Sequence, residues 1–379
     1  MKKLISVICA LILLINCCWV FCFAEEQAVI DLDCPSAILI ERSTGEVLYT
    51  KDADTSRPMA SVTKIMTLLL IMEAIDGKKI TLEDTVTCSE HAASMGGSQV
   101  YLKEGESLSV NDMLKAIVVS SANDAAVAMA EHIAGSDTAF VAMMNERAAQ
   151  LEMKNTKFVN CTGLDAEGHY SSARDISIMS VELLKHKKIR DYTTIWMDTL
   201  RDGSFGLSNT NKLVRFYEGC TGLKTGSTSE ALYCMSASAE RDGMELIAVV
   251  LASPTSAKRF EDAKKLLNFG FAGYELFESK IEIPETIPIS GAKEPTVPIE
   301  CTTDVSLLVT KGMANNISVE VKLQDSVEAP LNKNAKVGEV NLVSEEEILQ
   351  SFPVVLSNDV EKATFLDIFL QIFHVFLTV

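Results

Sequence analysis

Basic charge is what this 379-residue chain lacks: 34 Lys and Arg stand against 52 Asp and Glu, a formal charge of −18. Neutralising a phosphate backbone needs a basic surface, so a general nucleic-acid binder is excluded, and only a local basic pocket stays open. Beyond residue 24 there is no C-x-x-C spacing and no histidine pair near a cysteine, which removes the usual zinc sites. Internal repeats and low-complexity tracts are missing too. With 47% hydrophobic and 23% charged residues, the chain reads as globular rather than disordered or collagen-like, with room for two or three domains.

The first 24 residues differ in texture from the rest. Lys2 and Lys3 precede a nearly unbroken apolar run from Leu4 to Phe23, and Cys22-Phe23-Ala24 offers small residues before Glu25-Glu26. This is the pattern of a secretory signal peptide, with an uncleaved anchor as the alternative, since about 20 apolar residues also span a bilayer. Both readings export the remainder. The leader holds two lysines and no acids, so its removal takes the charge to −20. Six cysteines remain, Cys34, Cys88, Cys161, Cys220, Cys234 and Cys301. In an oxidising compartment they are either paired or buried as thiols. One pairing has a sequence argument: a hairpin within Lys224 to Glu230 would set Cys220 nearly opposite Cys234.

Patterning divides the rest into an α/β region at 25–277, a small all-β region at 278–358 and a tail at 359–379. In the first, strand-like runs (Ala37 to Ile40, Glu46 to Tyr49, Leu246 to Leu251) alternate with Ala-, Met- and Leu-rich helical stretches. In the second, Pro284, Pro288, Pro295 and Pro298 read as a linker into short alternating strands, Val305 to Val309 and Ile317 to Leu323. In the tail, Thr364, Asp367, Gln371, His374 and Thr378 recur at steps of three and four in an otherwise apolar run. As a helix this is an apolar cylinder with one polar stripe, about 24 Å long and short of the ~30 Å membrane core. It suits lying in the membrane interface, or docking on protein; Lys and Arg are missing from its polar face.

Chemistry enters at Ser61-Val62-Thr63-Lys64, where an apolar helical pattern begins at the serine. Three residues apart on a helix, a serine and a lysine share a face, so the amine can take the hydroxyl proton. The spacing alone decides nothing, because Ser290 and Lys293 repeat it among the prolines, and a helix cap beside a solvated lysine looks the same. Two further motifs change the reading. Ser121-Ala122-Asn123 falls between one helical pattern opened by Ser109 and Asp112 and another running from Asp124 to Ile133. Lys224-Thr225-Gly226-Ser227 precedes the strand-like Leu232 to Ala237, where a glycine permits close approach to a strand edge.

Serine-x-x-lysine, serine-x-asparagine and lysine-threonine-glycine in this order are shared by penicillin-binding proteins and class A β-lactamases. The chain resembles a low-molecular-mass penicillin-binding protein, a serine-type D-alanyl-D-alanine carboxypeptidase, over roughly Ala37 to Phe271. Phe158 to Leu164, His169 to Asp175, Asn209-Thr210-Asn211 and Arg241-Asp242-Gly243 extend the likeness. The resemblance implies an α/β (α+β) fold: a β-lactamase/transpeptidase-like domain with a central antiparallel sheet flanked by helices, then a small sandwich-like all-β domain and a C-terminal amphipathic helix. It also implies cleavage of the terminal D-Ala-D-Ala bond of peptidoglycan stem peptides through an acyl-enzyme, trimming wall precursors and limiting cross-linking. Ser61 is then the nucleophile and Lys64 its base, kept neutral by partial burial and by positive Lys224. Ser121 passes a proton to the leaving amine, Asn123 holds the substrate amide, and Lys224 and Thr225 take the terminal carboxylate. Gly226 lets substrate approach, and the N–H groups of Ser61 and Ser227 face the oxyanion. Thr210 brings no positive charge where the family pattern has room for one.

No metal or cofactor is implied. The expected partners are stem peptides, β-lactams as covalent inhibitors and, through the tail helix, the outer face of the bacterial cytoplasmic membrane; nucleic acid is not among them. His91, His132, His169 and His186 lie outside any G-x-S-x-G context and read as structural. Two other functions remain. A class A-like β-lactamase needs an E-x-x-L-N loop that Glu182-Leu183-Leu184-Lys185 does not supply. A wall-binding protein with little activity would require a lost motif residue, and none is lost.

Overall fold

The computed structural model describes residues 30–301 and 304–369. The signal peptide read at 1–24, and the tail helix beyond residue 369, lie outside the described residues. The central strands of the first sheet are buried on both faces, because helices cover both. Strand β1 (Ser36–Glu41) is buried throughout and pairs with β2 (Val47–Lys51). Three long strands return later in the chain, β3 (Cys220–Thr228), β4 (Leu232–Arg241) and β5 (Met244–Ser253). The order is β2-β1-β5-β4-β3, antiparallel at every pairing, with β3 on an edge.

Helix α1 (Lys64–Asp76) is entered through a single 3-10 turn, Ala60–Thr63. Ten of its thirteen residues are buried, which marks it as the central helix of the domain rather than a surface one. Around it lie α2 (Val110–Val119), α3 (Asn123–Ala134), α4 (Asp137–Gln150) and α5 (Ala173–Lys185), sharing one apolar core with Ile38, Ile247 and Val249 of the sheet. The opposite face receives α6 (Ser256–Gly273), which comes so close that a Cβ on Gly270 would stand 2.4 Å from Leu246 and 3.1 Å from Leu39. Hydroxyl caps start four of these helices. Ser109 accepts from the Asp112 N–H, Ser136 from Ala139 at the start of α4, Ser172 from Asp175 and Thr255 from Lys258, each freeing the first turn of an orphan donor.

From β6 (Tyr274–Lys280), which follows α6 without a break, the chain is all β: β7 (Thr286–Ser290), β8 (Thr296–Glu300), β9 (Asp304–Thr310), β10 (Ser318–Leu323), β11 (Val327–Glu328), β12 (Lys336–Ser344) and β13 (Glu347–Leu356). Strands β6 and β9 pair alone, and the others form one sheet in the order β10-β12-β13-β8-β7-β11. Ile287, Val305, Val340, Leu342 and Val354 meet in a core between them. Two of the four prolines read as a linker, Pro288 and Pro298, lie in this sheet. Pro288 faces Thr296 and Pro298 faces Thr286, while the ladder bonds run through Ile289 and Ile299, so the missing proline N–H is not called on there.

The cysteine pairing is corrected by register. The β3–β4 turn lies at Ser229–Ala231, so Cys220 faces Ala239 and Cys234 faces Gly226; both are free thiols. At the end of the described chain, residues 365–369 begin a helix. Thr364 and Asp367 cap each other across its first turn, and Phe365 and Leu366 stand 85% and 63% exposed. Among the described residues no helix is long and apolar enough to cross a membrane.

Candidate active site

Three pieces of chain converge where the sequence motifs are. The turn before α1 carries Ser61, the α2–α3 connection carries Ser121, the first residue of α3 is Asn123, and the edge strand β3 carries Lys224, Thr225, Gly226 and Ser227. Lys64 is the hub. Its Nζ donates to Ser61 Oγ at 3.1 Å, to Asn123 Oδ1 at 2.5 Å and to the Thr162 carbonyl at 2.7 Å. A lysine with no exposed surface loses the hydration that favours its charge, and burial brings Lys64 from 10.5 down to about 7, against an upward pull from Cys161 and Asp124. The expectation that Lys224 lowers Lys64 is therefore corrected: burial is complete, not partial, and it is the cause. The charge effect runs the other way, since burial first, then Lys64 and Arg259, hold Lys224 well below its ordinary value.

Asn123 is fixed at three atoms. Its N–H donates to Ser98 O, its Nδ2 to Gly96 O, and its Oδ1 accepts from Lys64. Ser121, 4% exposed, takes a left-handed backbone (φ 61°) that turns the chain between α2 and α3. Ser61, Lys64 and Asn123 are thus joined directly, whereas Lys224 donates to the Thr225 carbonyl at 2.9 Å. Thr225 donates to Thr210 Oγ1 at 2.8 Å, and Thr210 is itself held by its N–H to Val119 O. The edge of β3 lies tight against the serine. A Cβ on Gly226 would come within 2.7 Å of Ser61 N and 2.9 Å of Met59 O, so only glycine lets strand and turn meet. Ser227, next along, is exposed.

Several contributors were not foreseen. The Thr162 carbonyl aims at Lys64 from a loop ordered by Asn160, whose Oδ1 accepts from Thr162 N and Gly163 N and whose Nδ2 donates to Leu164 O. Asp124, 1% exposed, accepts from Val100 N and Leu102 N and places a negative charge behind Lys64. Arg259 reaches from α6 to β3 and β4, donating to Gly226 O at 3.0 Å and to Cys234 O at 3.3 Å. Of these, only Asp124 had a local signal, an acid in the first turn of α3 next to the motif.

Among the described residues no histidine is hydrogen-bonded to Ser61. His91 meets Asp137, His186 meets Asp76, His132 lies on the exposed side of α3, and His169 bonds Thr63. Glu182 is bound to Arg147 and Lys185, which leaves it no part beside the serine.

A buried lysine near neutrality touching a serine hydroxyl, at the turn into a central helix and against a strand edge, is the arrangement of a serine acyl-transfer site with a lysine base. The sequence comparisons agree in kind. Residues 23–255 match the family described as D-alanyl-D-alanine carboxypeptidase, and residues 271–362 match the C-terminal domain of penicillin-binding protein 5. The chain belongs to the D-alanyl-D-alanine carboxypeptidase family. It is 45% identical to D-alanyl-D-alanine carboxypeptidase DacF of Bacillus subtilis, over 87% of each chain. Penicillin-binding protein 5 of Haemophilus influenzae superposes with a TM-score of 0.78 at 30% identity, over 88% of this chain and 99% of that one. Penicillin-binding protein D2 of Listeria monocytogenes, solved in an ampicillin-bound form, matches 64% of this chain and 99% of its own with a TM-score of 0.59 at 33% identity.

Proposed function

We propose that Ser61 carries out the family's reaction, with Lys64 as its base and Ser121, Asn123 and the β3 edge as its substrate contacts. The protein is a serine-type D-Ala-D-Ala carboxypeptidase acting on peptidoglycan. Ser61 Oγ attacks the carbonyl between the two terminal D-alanines as Lys64 takes its proton. The tetrahedral oxygen is met by backbone N–H groups of Ser61 and Ser227, donors already fixed by the turn and the strand. Ser121 relays a proton to the leaving amine, and water then splits the D-alanyl ester to regenerate Ser61. Asn123 takes the substrate amide. The free carboxylate sits between Lys224 and Thr225, and its negative charge opposes the downward pull of burial on Lys224. The observation that carries this reading is the 3.1 Å approach of a near-neutral Lys64 to Ser61 Oγ.

β-Lactams fit the same scheme as acylating inhibitors, since their ring amide offers the same carbonyl to the same hydroxyl. The leader at 1–24 exports the protein as a signal peptide, and the tail from Thr364 holds it at the outer face of the cytoplasmic membrane; its opening turn already shows bare Phe365 and Leu366. The protein is expected to release D-alanine from a peptide ending in D-Ala-D-Ala and to be labelled by fluorescent penicillin. Ser61→Ala should abolish both. Penicillin labelling of Ser61→Ala would overturn the assignment.

A further inference from the structure

We propose that Thr63 and His169 form a hydrogen-bonded relay that holds the turn presenting Ser61, so that both are positioning residues for acylation. The inference rests on Ser61 as the nucleophile and names what keeps it aimed. Ala60, the residue before the serine, has φ 49°. A residue with a Cβ pays steric strain in that left-handed region, so something around it must hold it there. Its carbonyl is the point held. Thr63 Oγ1 donates to Ala60 O at 2.8 Å, and Gly163 lies so close on the other side that a Cβ there would overlap the same oxygen.

Hydrogen-bond direction fixes the rest of the chain of contacts. Val159 N–H can only donate, so His169 Nδ1, 3.0 Å away, must accept with a lone pair. The neutral ring then carries its proton on Nε2, which lies 2.7 Å from Thr63 Oγ1. Thr63 receives from His169 and can pass its own proton only onward, to Ala60. The ring is 6% exposed, and burial brings it down to about 4, with Asp165 opposing, so this tautomer is held throughout the neutral range. The relay begins in the same loop that gives the Thr162 carbonyl to Lys64. One loop thereby sets both the serine's backbone and the lysine's amine, two atoms whose separation decides whether a proton can move.

A plain packing role is separated from a relay by two pairs of variants of the full chain. His169→Asn keeps an acceptor near Nδ1 for Val159 but cannot reach Thr63; His169→Gln places an amide N–H near the Nε2 position. Thr63→Val keeps shape and loses the hydroxyl, which Thr63→Ser returns. The readouts are D-alanine release from a synthetic D-Ala-D-Ala peptide and the acylation rate with fluorescent penicillin. His169→Asn and Thr63→Val are expected to lose about tenfold or more in kcat with KM within about twofold, and Gln and Ser to stay within about threefold of the parent. Parent-like kcat in His169→Asn, or equal loss in the Asn and Gln proteins, overturns the relay while Ser61 labelling stands. Labelling of Ser61→Ala would instead remove the nucleophile itself, and the relay with it.

Discussion

The α/β region and the β region bury different kinds of atom. Between Leu32 and Gly273 the interior holds Lys64, Lys224, Asp124, Arg259, Asp262 and His169, all less than a tenth exposed. Beyond Tyr274 the only buried polar side chains among the described residues are Asn341 and Ser344, in a core of Ile, Val, Leu and Ala. Burying a charge without a partner costs several kcal/mol, so a domain that keeps so many has each one tied to a backbone or side-chain group. The β region has no such need, and its interior is plain aliphatic packing. Stability and chemistry are in tension in one half of the molecule and separate in the other.

The sharpest way to break that contrast is at its centre. Lys64→Met removes the base and is expected to lower kcat for D-alanine release by about 10³-fold or more, measured against the parent at pH 8. The same variant tests the cost of burial. Lys64 falls from 10.5 when unfolded to about 7 when folded, so the unfolded chain binds more protons between those values. The parent's stability must therefore gain a rising slope with pH from about 7 to 10.5, and thermal melts of Lys64→Met should lack that component.

On the other side of the comparison, Leu342→Ala opens a hole in the β core, where Leu342 is fully buried. It should cost about 2–5 kcal/mol in denaturant unfolding and leave kcat unchanged. A fall in kcat there would mean that the two halves are coupled through more than the chain between them. The smallest effect is a gradient. Below about pH 7 the protonated Lys64 cannot accept from Ser61, so kcat/KM should rise about tenfold per pH unit on that limb and level off above it. A profile flat through pH 5–8 would contradict a lysine base.

What could be read in advance depended on whether the signal was local. Ser61 and Lys64 are one helical turn apart, Ser121 and Asn123 flank Ala122, and Lys224 to Ser227 share a strand, so side-chain types at short spacing carried them. The Thr162 carbonyl could not be read, because every residue has a carbonyl and only the fold aims this one. Arg259 reaches β3 from 33 residues further along, and nothing in its own helix announces that. The cause of the Lys64 shift was misread because burial of a long side chain on an apolar helix looks partial until the helix proves to be central. The Cys220–Cys234 pairing failed on a hairpin turn that lies beyond Thr228, and Pro288 and Pro298 misled because a proline tolerated by a ladder looks the same in sequence as one that ends it.

Strand β3 is the last of its sheet, with β4 on one side and no ladder on the other among the described residues. A peptide lying along that margin would be met through its main chain, which is the same whatever side groups it bears. Walls that differ in the composition of their peptides would be processed with little change in the enzyme, and discrimination would fall on the one feature a main chain cannot share, a free acidic end.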